Sequence, residues 1–456
     1  MPPSVHSYHM TRSDLWPVRR VISMGIVVVV FHTILLFLVL PKVGARLAPS
    51  YNQDRYTDGY EQLTENLALG HGYRFYPETA RTIMREPGYP MFLAGLRLFF
   101  GDSFLVVKLA NLVLALATAW LILELARKID PGAPSREGQL LILPAVLFLF
   151  HPAVLIAESR GGLEIVFAFL AVLFLLSVLR MMRTQRLSDA IVSGVLLGII
   201  IYVRSTPVLF PFFLCGYLLL FERSRTRILR TCRNTAVIFV TMLAVLSPWI
   251  ARNYGLTGKF IPTADVLGVS AQAGQYIGTH LFEGRPWWLL DREASRERDR
   301  VAVSLGYAYE DGQNGYYQTF YKTTDEVKFS DYLLKKVVNT YKQSPLLFIR
   351  CLAQNLFNFW CAGKTWSATA ANTLLQLPLL VLAGIGTIRG LKGRGKQAVG
   401  LVVLFIGYVM AIHLPILAQA RYSVPLIPLV SILASMGLVA VRRTEQVSAT
   451  PESVAV

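Results

Sequence analysis

Residues 21–40 read VISMGIVVVVFHTILLFLVL, twenty positions in which His32 is the one titratable side chain. As a helix this run extends about 30 Å, the thickness of a bilayer's hydrocarbon core. Arg19 and Arg20 precede it, and Val43-Gly44-Ala45 follows with a faint likeness to a signal-peptidase site. A secretory h-region holds roughly 7 to 15 apolar residues, so the longer run reads as an uncleaved first transmembrane helix.

The rest of the chain repeats the pattern. Of 456 residues 54% are hydrophobic and 16% charged, with a mean hydropathy of +0.47, above the usual range of a soluble domain. Apolar segments recur near 103–126, 139–156, 163–181, 188–203, 205–221, 234–250, 370–388, 398–418 and 423–441. The expected fold is therefore all-α and polytopic, with about 10–12 transmembrane helices. The net charge of +17 does not indicate nucleic acid, because the basic residues form short clusters between apolar runs.

Those clusters set a topology. With the N-terminus cytoplasmic, Arg127, Lys128 and Arg136, then Arg180, Arg183 and Arg186, Arg223 to Arg233, Arg389 to Lys396, and Arg442 with Arg443 all fall on one face. The positive-inside rule makes that face cytoplasmic. The division is a tail 1–20, a core 21–251 with an outer loop 41–102, an extracytoplasmic loop domain 252–369, helices 370–441 and a disordered tail 442–456. Within the outer segments, Tyr89 to Phe100 is too short to span, Phe329 to Lys342 reads as a helix of mixed charge, and Pro345 to Trp360 is amphipathic and expected at the membrane surface. The four cysteines form no metal or disulfide signature, since Cys351 and Cys361 on one helix lie about 15 Å apart.

Arginines on the translocated face break the rule that placed them. Arg160, Arg204, Arg252 and Arg421 each stand at the outer mouth of an apolar segment. Any one of them alone could snorkel to headgroups. Several on one face suit an anion such as a phosphate, which guanidinium grips bidentately.

The first outer loop adds carboxylates at Asp54 and Asp58. On a continuing helix the four-residue spacing puts both on one side, where repulsion would raise one toward a base's working range. Alternatively Asp58 and Glu61 form a capping box for a helix striped by Tyr60, Leu63 and Leu67 and ending at Gly70, which leaves Asp54 a loop carboxylate. Taken alone, the cap is the better account of Asp58. His71 and His280, the histidines of the outer loops, pair with no second histidine at ligand spacing, so no dedicated metal cage and no required cofactor is indicated. Asp54, Asp58 and Glu164 would suit a weakly held divalent cation.

Asp58-Gly59-Tyr60, Leu63, Asn66-Leu67, Gly70-His71-Gly72-Tyr73 and Arg85-Glu86-Pro87-Gly88-Tyr89-Pro90 resemble the first outer loop of GT-C fold glycosyltransferases dependent on polyprenyl-phosphate sugars. This is the superfamily of protein O-mannosyltransferases and the lipid A aminoarabinose transferase. His151-Pro152 with Glu164, Pro248 to Tyr254 with Gly258 to Pro262, and Arg421-Tyr422 with Pro425 and Pro428 are similar to later motifs of the same group. The resemblance implies inverting transfer of a sugar from a lipid-linked phosphosugar, of undecaprenyl-phosphate type, to an acceptor hydroxyl on a cell-envelope glycan, lipid or protein. It also implies a bacterial inner-membrane enzyme with its site on the outer face and an aspartate of this loop as general base. The family's aspartate stands four residues before the tyrosine matched to Tyr60. That position is Tyr56 here, between Asp54 and Asp58, so both remain candidates.

A sugar phosphate is already a good leaving group, so the chemistry asks for cations on the departing phosphate and a base for the hydroxyl. Arg85, with Arg81 as a fallback, and Arg204, Arg252 and Arg421 suit the first task, and Asp58 or Asp54 the second. Glu164 could orient the acceptor or a cation, or simply sit on the favourable end of a helix dipole. Tyr60, Tyr89 and Tyr422 are further candidates for substrate contact, although aromatics at a membrane surface often form the interfacial belt. Two rivals are weighed. A transporter or flippase of lipid-linked glycans calls for charges in mid-helix, whereas these sit at helix ends. A glycan polymerase or ligase using lipid pyrophosphate donors would share the outer arginines and differ in its donor.

Overall fold

The protein is seen in a computed structural model that describes residues 12–47, 57–129, 142–280, 283–311 and 318–448. Nearly every described segment is helical. Helices α1 (Arg12–Ile34) and α2 (Leu40–Leu47) are joined by a π-helical turn at Leu35–Val39. The first outer loop holds α3 (Tyr60–Ala68) and α4 (Gly88–Phe100) and leads into α5 (Phe104–Ile129). Then come α6 (Leu143–Leu149), α7 (Pro152–Ser159), α8 (Leu163–Thr184), α9 (Leu187–Val203), α10 (Phe210–Leu219) and α11 (Arg225–Thr257). The second long segment folds as α12 (Leu267–Thr279), α13 (Trp287–Ser304), a hairpin of β1 (Tyr309–Asp311) and β2 (Gln318–Phe320), α14 (Thr323–Gln343) and α15 (Pro345–Cys361). The chain closes with α16 (Trp366–Lys392), α17 (Lys396–His413) and α18 (Ile427–Ser448).

Among the described residues seven helices are long and apolar enough to cross a membrane, and α9 and α10 are shorter apolar helices. The run 139–156 is not one helix. Pro152 has no N–H to continue the ladder, His151 is extended, and its Nδ1 accepts from Ala153 N, so α7 starts afresh there. Helix α18 continues to Ser448, five residues past Arg443. Cys351 and Cys361 lie on α15 as unpaired thiols.

Spans at residues 163–184 and 420–441 form the centre of the bundle, with 72% and 78% of their apolar windows buried. Helices α16 and α18 cross closely because a Cβ on Gly386 would lie 1.9 Å from Leu433 O, and one on Gly437 1.9 Å from Leu382 O. Small residues at a crossing are how membrane helices gain packing without a hydrophobic drive. Toward the edge, α1 is tied in by a fully buried pair, His32 Nε2 to Glu158 Oε2 at 3.0 Å.

In α11, Pro248 deprives the Ala244 carbonyl of its helical donor. Ser247 Oγ donates to that oxygen instead at 2.8 Å, so the helix runs through the proline intact. Beyond it the chain folds back, held by Asn253 Nδ2 to the carbonyls of Ile261 and Thr263, both 3.0 Å, and by Trp249 Nε1 to Thr263 O at 2.9 Å.

The two long loop segments pack on one another. Ala80 N donates to Phe320 O, Thr323 Oγ1 to Arg81 O and Asp265 N to Ile83 O. Glu326 Oε2 receives Ile83 N at 2.9 Å and Thr82 Oγ1 at 3.2 Å. The stretch 79–87 is thereby fixed on both sides before it delivers Arg85.

Candidate active site

Residues 57–59 form a single 3₁₀ turn ahead of α3, and its backbone is unusual. Asp58 has φ 69° and ψ 21°, and Gly59 follows with φ 78°. Two successive left-handed residues are tolerable for Asp and Gly and for few other pairs. The capping-box reading of Asp58 fails here: the N-cap of α3 is Gly59, with no side-chain cap bond. The left-handed turn directs the Asp58 carboxylate away from the helix and onto Arg421.

That contact is bidentate, with Arg421 Nη1 2.8 Å from Oδ2 and Nη2 3.1 Å from Oδ1. The two side chains are 30% and 28% exposed. From the other side Arg85 Nε donates to the Asp58 carbonyl at 3.1 Å. Burial pushes the Asp58 carboxyl upward, but Arg421, then Arg85 and Arg204, outweigh it and hold the group at about 2. Tyr60, buried beside it, has its phenol driven well above the ordinary range by burial and then by Asp58 and Glu86. Its ring meets Tyr89 edge-on at 5.2 Å, and Tyr89 Oη donates to Gly161 O just before α8.

The peptide at 85–86 is locked in place. Tyr73 Oη donates to the carbonyls of Arg85 and Glu86 at 3.0 and 2.9 Å. Glu86 Oε1 accepts Ser205 N at 3.0 Å and Ser205 Oγ at 2.6 Å, which ties the first loop to the residue following Arg204. Arg204 ends α9 in an extended conformation. Its guanidinium lies 4.0 Å above the Tyr422 ring and donates from Nη2 to His413 Nε2 at 3.2 Å. Glu164, in the first turn of α8 and 6% exposed, is within electrostatic reach of Arg421, Arg204 and Asp58.

The structure thus brings together Asp58, Arg85, Arg204, Arg421, Glu164, Tyr60, Tyr89 and Tyr422. It engages Arg252 elsewhere: this guanidinium stacks on Trp249 at 4.2 Å and donates to Thr82 O at 3.1 Å, bracing the first loop against α11. Arg81 is exposed, beside Gly72. Arg160 caps the C-terminal end of α7. Asp54 lies outside the described residues, as does Tyr56. Among the described residues no cluster of three His, Cys, Asp or Glu side chains is arranged for a metal.

Three members were missed in the sequence. His413 ends α17 at the mouth of an apolar run, where the criterion applied to the arginines would have found it. Asp291 and Arg298 lie seven residues apart on one face of α13. Burial raises the Asp291 carboxyl, against the pull of Arg298 and Arg421, and Asp58 pushes the same way. Arg298 is 3% exposed, burial draws it down to about 10, and its Nη1 donates to Gln272 Oε1 at 2.9 Å. Nothing in a charged amphipathic helix marks these two in advance.

Residues 85–251 match the sequence model of a family described as dolichyl-phosphate-mannose-protein mannosyltransferase. The matched stretch carries Arg85, Tyr89, Glu164 and Arg204. No curated protein sequence matches the chain. Among solved structures, an oligosaccharyltransferase from Archaeoglobus fulgidus, AglB, in complex with an inhibitory peptide and a dolichol-phosphate, is similar with a TM-score of 0.53 at 11% identity, over 96% of this chain and 53% of that one. An apo form of the Archaeoglobus fulgidus oligosaccharyltransferase gives 0.53 at 11% identity over 95% of this chain and 53% of that one. A form tethered to an acceptor peptide gives 0.51 at 11% identity over 95% and 51%. The chain spans about half the length of these structures, and at that identity the likeness is one of fold. Seven helices among the described residues that are long and apolar enough to cross a membrane, an almost wholly helical architecture and these matches give the chain the fold of a polytopic GT-C membrane protein, similar in residues 85–251 to the dolichyl-phosphate-mannose-protein mannosyltransferases.

Proposed function

We propose that the protein transfers a sugar from a polyprenyl-phosphate donor to an acceptor hydroxyl, with inversion at the anomeric carbon. The carrying observation is the convergence of Arg85, Arg204 and Arg421 on Asp58 where apolar helices end. A lipid-linked phosphate reaches such a place with its tail still in the bilayer. The matched mannosyltransferase family and the dolichol-phosphate bound by the archaeal structure support a lipid phosphate as the donor's anchor.

On this reading the arginines hold the donor's phosphate and stabilise the charge that builds on it as the glycosidic bond breaks. Asp58 takes the proton of the attacking hydroxyl as that oxygen bonds to the anomeric carbon. A carboxylate held near 2 is a weak base. An arriving phosphate competes for Arg421 and Arg204, and to the extent that it draws them off, Asp58 regains basicity when the leaving group is in place. Glu164 faces the same charges and orients the acceptor or the Arg421 guanidinium. Basic clusters between the spans support a cytoplasmic N-terminus and a site on the extracytoplasmic face, and on this reading the membrane is a bacterial inner membrane. The donor is of undecaprenyl-phosphate type, and the acceptor a glycan, lipid or protein of the cell envelope. Any divalent cation is an addition near Asp58 and Glu164, not a requirement.

Transfer assays with purified protein and a panel of polyprenyl-phosphate sugars test the proposal, with Asp58→Asn and Asp54→Asn compared side by side. Turnover abolished by one of them in folded protein assigns the base. Full turnover in both sinks the assignment.

A further inference from the structure

We infer that His413 is a positioning residue, whose neutral ring holds the Arg204 guanidinium ready for the donor's phosphate. The inference rests on Arg204 being a ligand of that phosphate. His413 is 8% exposed at the end of α17. Its Nδ1 lies 2.7 Å from the Val409 carbonyl oxygen. That oxygen can only accept, so Nδ1 carries the proton and donates. Nε2 then has a free lone pair, and it is this atom that faces Arg204 Nη2 at 3.2 Å. A guanidinium has donors and no acceptor, so the contact exists only while the ring is neutral, in the Nδ1–H tautomer.

The ring is itself clamped, 4.8 Å from Tyr422 and 5.7 Å from Phe359 between centroids. Tyr422 also offers its face to Arg204 at 4.0 Å. One aromatic thus supports both the arginine and the histidine that steers it. The groups facing His413 are Arg204 from the end of α9, Tyr422 from the 420–426 turn and Phe359 from α15. An arginine side chain loses rotamer freedom when it is fixed, and a site that has already ordered it binds its anion more tightly. There is a second consequence. Arg204 lies within electrostatic reach of Asp58 and Glu164, and an acceptor without charge keeps it from collapsing onto either. Arg421 carries the ion pair with Asp58, while Arg204 is held on neutral ground.

The test uses the full chain in nanodiscs and measures binding of undecaprenyl phosphate, without sugar or turnover. Glutamine can place its amide oxygen where Nε2 stands, asparagine only where Nδ1 stands, and leucine offers no acceptor. The expected outcome is that His413→Leu and His413→Asn weaken binding about tenfold while His413→Gln stays within about threefold of wild type. In an Arg204→Ala background His413→Leu should have no further effect, since coupled residues are non-additive. Equal loss in the Gln and Leu variants, or an undiminished His413→Leu effect without Arg204, overturns the positioning role and leaves the donor reading intact. If Leu does not fold, the comparison of Gln with Asn decides alone. Wild-type protein that fails to bind the lipid phosphate sinks the donor reading and this inference together.

Discussion

Arg421 meets Asp58 side-on, with nitrogen to oxygen distances of 2.8 and 3.1 Å, and so occupies both oxygens of the carboxylate proposed to act as base. An arginine that engages the base and also the substrate's phosphate cannot be replaced by lysine without loss, because lysine gives one point of contact where the guanidinium gives two. Arg421→Lys should raise the donor KM about tenfold, and Asp58→Asn should lower kcat by about 10²-fold or more, with a fall in melting temperature no larger than that of Arg421→Gln. Asparagine tolerates the left-handed backbone at 58 as aspartate does, so a kinetic loss there reports chemistry. Steady-state kinetics over donor concentration separate the two effects.

The same ion pair gives a pH signature. A carboxyl held at about 2, against an ordinary value of 3.8, contributes stability that is complete above the ordinary value and disappears as pH falls through the lower one. The difference in melting temperature between wild type and Arg421→Gln should therefore be constant from neutral pH to about 5 and shrink between about 4 and 2. A difference that is unchanged at pH 2 would show that Arg421 stabilises by packing and not by charge.

Gly88 opens α4 against the end of α9. A Cβ there would lie 2.7 Å from the backbone carbon and oxygen of Tyr202, two residues before Arg204. Gly88→Ala must push α4 and α9 apart, and with them the Glu86 to Ser205 contacts. The expected result is a destabilisation of about 1–3 kcal/mol and a raised donor KM, read by denaturation and kinetics on the same sample. A variant with wild-type kinetics would mean that the spacing between Arg85 and Arg204 is not set at this crossing.

Glu326 behaves in the opposite sense to Asp58. It is 3% exposed, and burial lifts its carboxyl from 4.5 to about 8, although Ile83 N and Thr82 Oγ1 pull it back. A raised value means that its contribution to stability is complete at acid pH and is lost as pH rises through about 8. Wild-type melting temperature should fall between about pH 4.5 and 8, while Glu326→Gln, which can accept the same two donors, should stay flat. Parallel profiles for the two proteins would place the titrating group elsewhere.

Much of this is legible in the sequence. Apolar runs and their basic flanks gave the helices, because insertion into lipid depends on composition more than on long-range contact. The outer arginines emerged by the same logic in reverse, as charges that topology does not explain. What escaped was conformation at single residues. Asp58 carries a good cap signature, yet a left-handed turn overrides it, and that turn is stabilised by a guanidinium 363 positions away. Arg252 looks like Arg204 in sequence and is a brace, because Trp249 and the Thr82 carbonyl hold it against the first loop, whereas Arg204 stacks on Tyr422 beside His413. Distinctions of this kind depend on which rings and carbonyls arrive from elsewhere in the chain.

The His32 to Glu158 pair bears on how the protein is made. Its partners are separated by 126 positions, and both are fully buried in the finished bundle. During synthesis α1 leaves the ribosome long before α7, so for that interval an imidazole on a hydrophobic helix has no carboxylate to meet. Release of α1 into lipid at that stage would strand a polar group in hydrocarbon. Helix α1 is therefore one the insertion machinery, or an early neighbour, must shelter until Glu158 arrives.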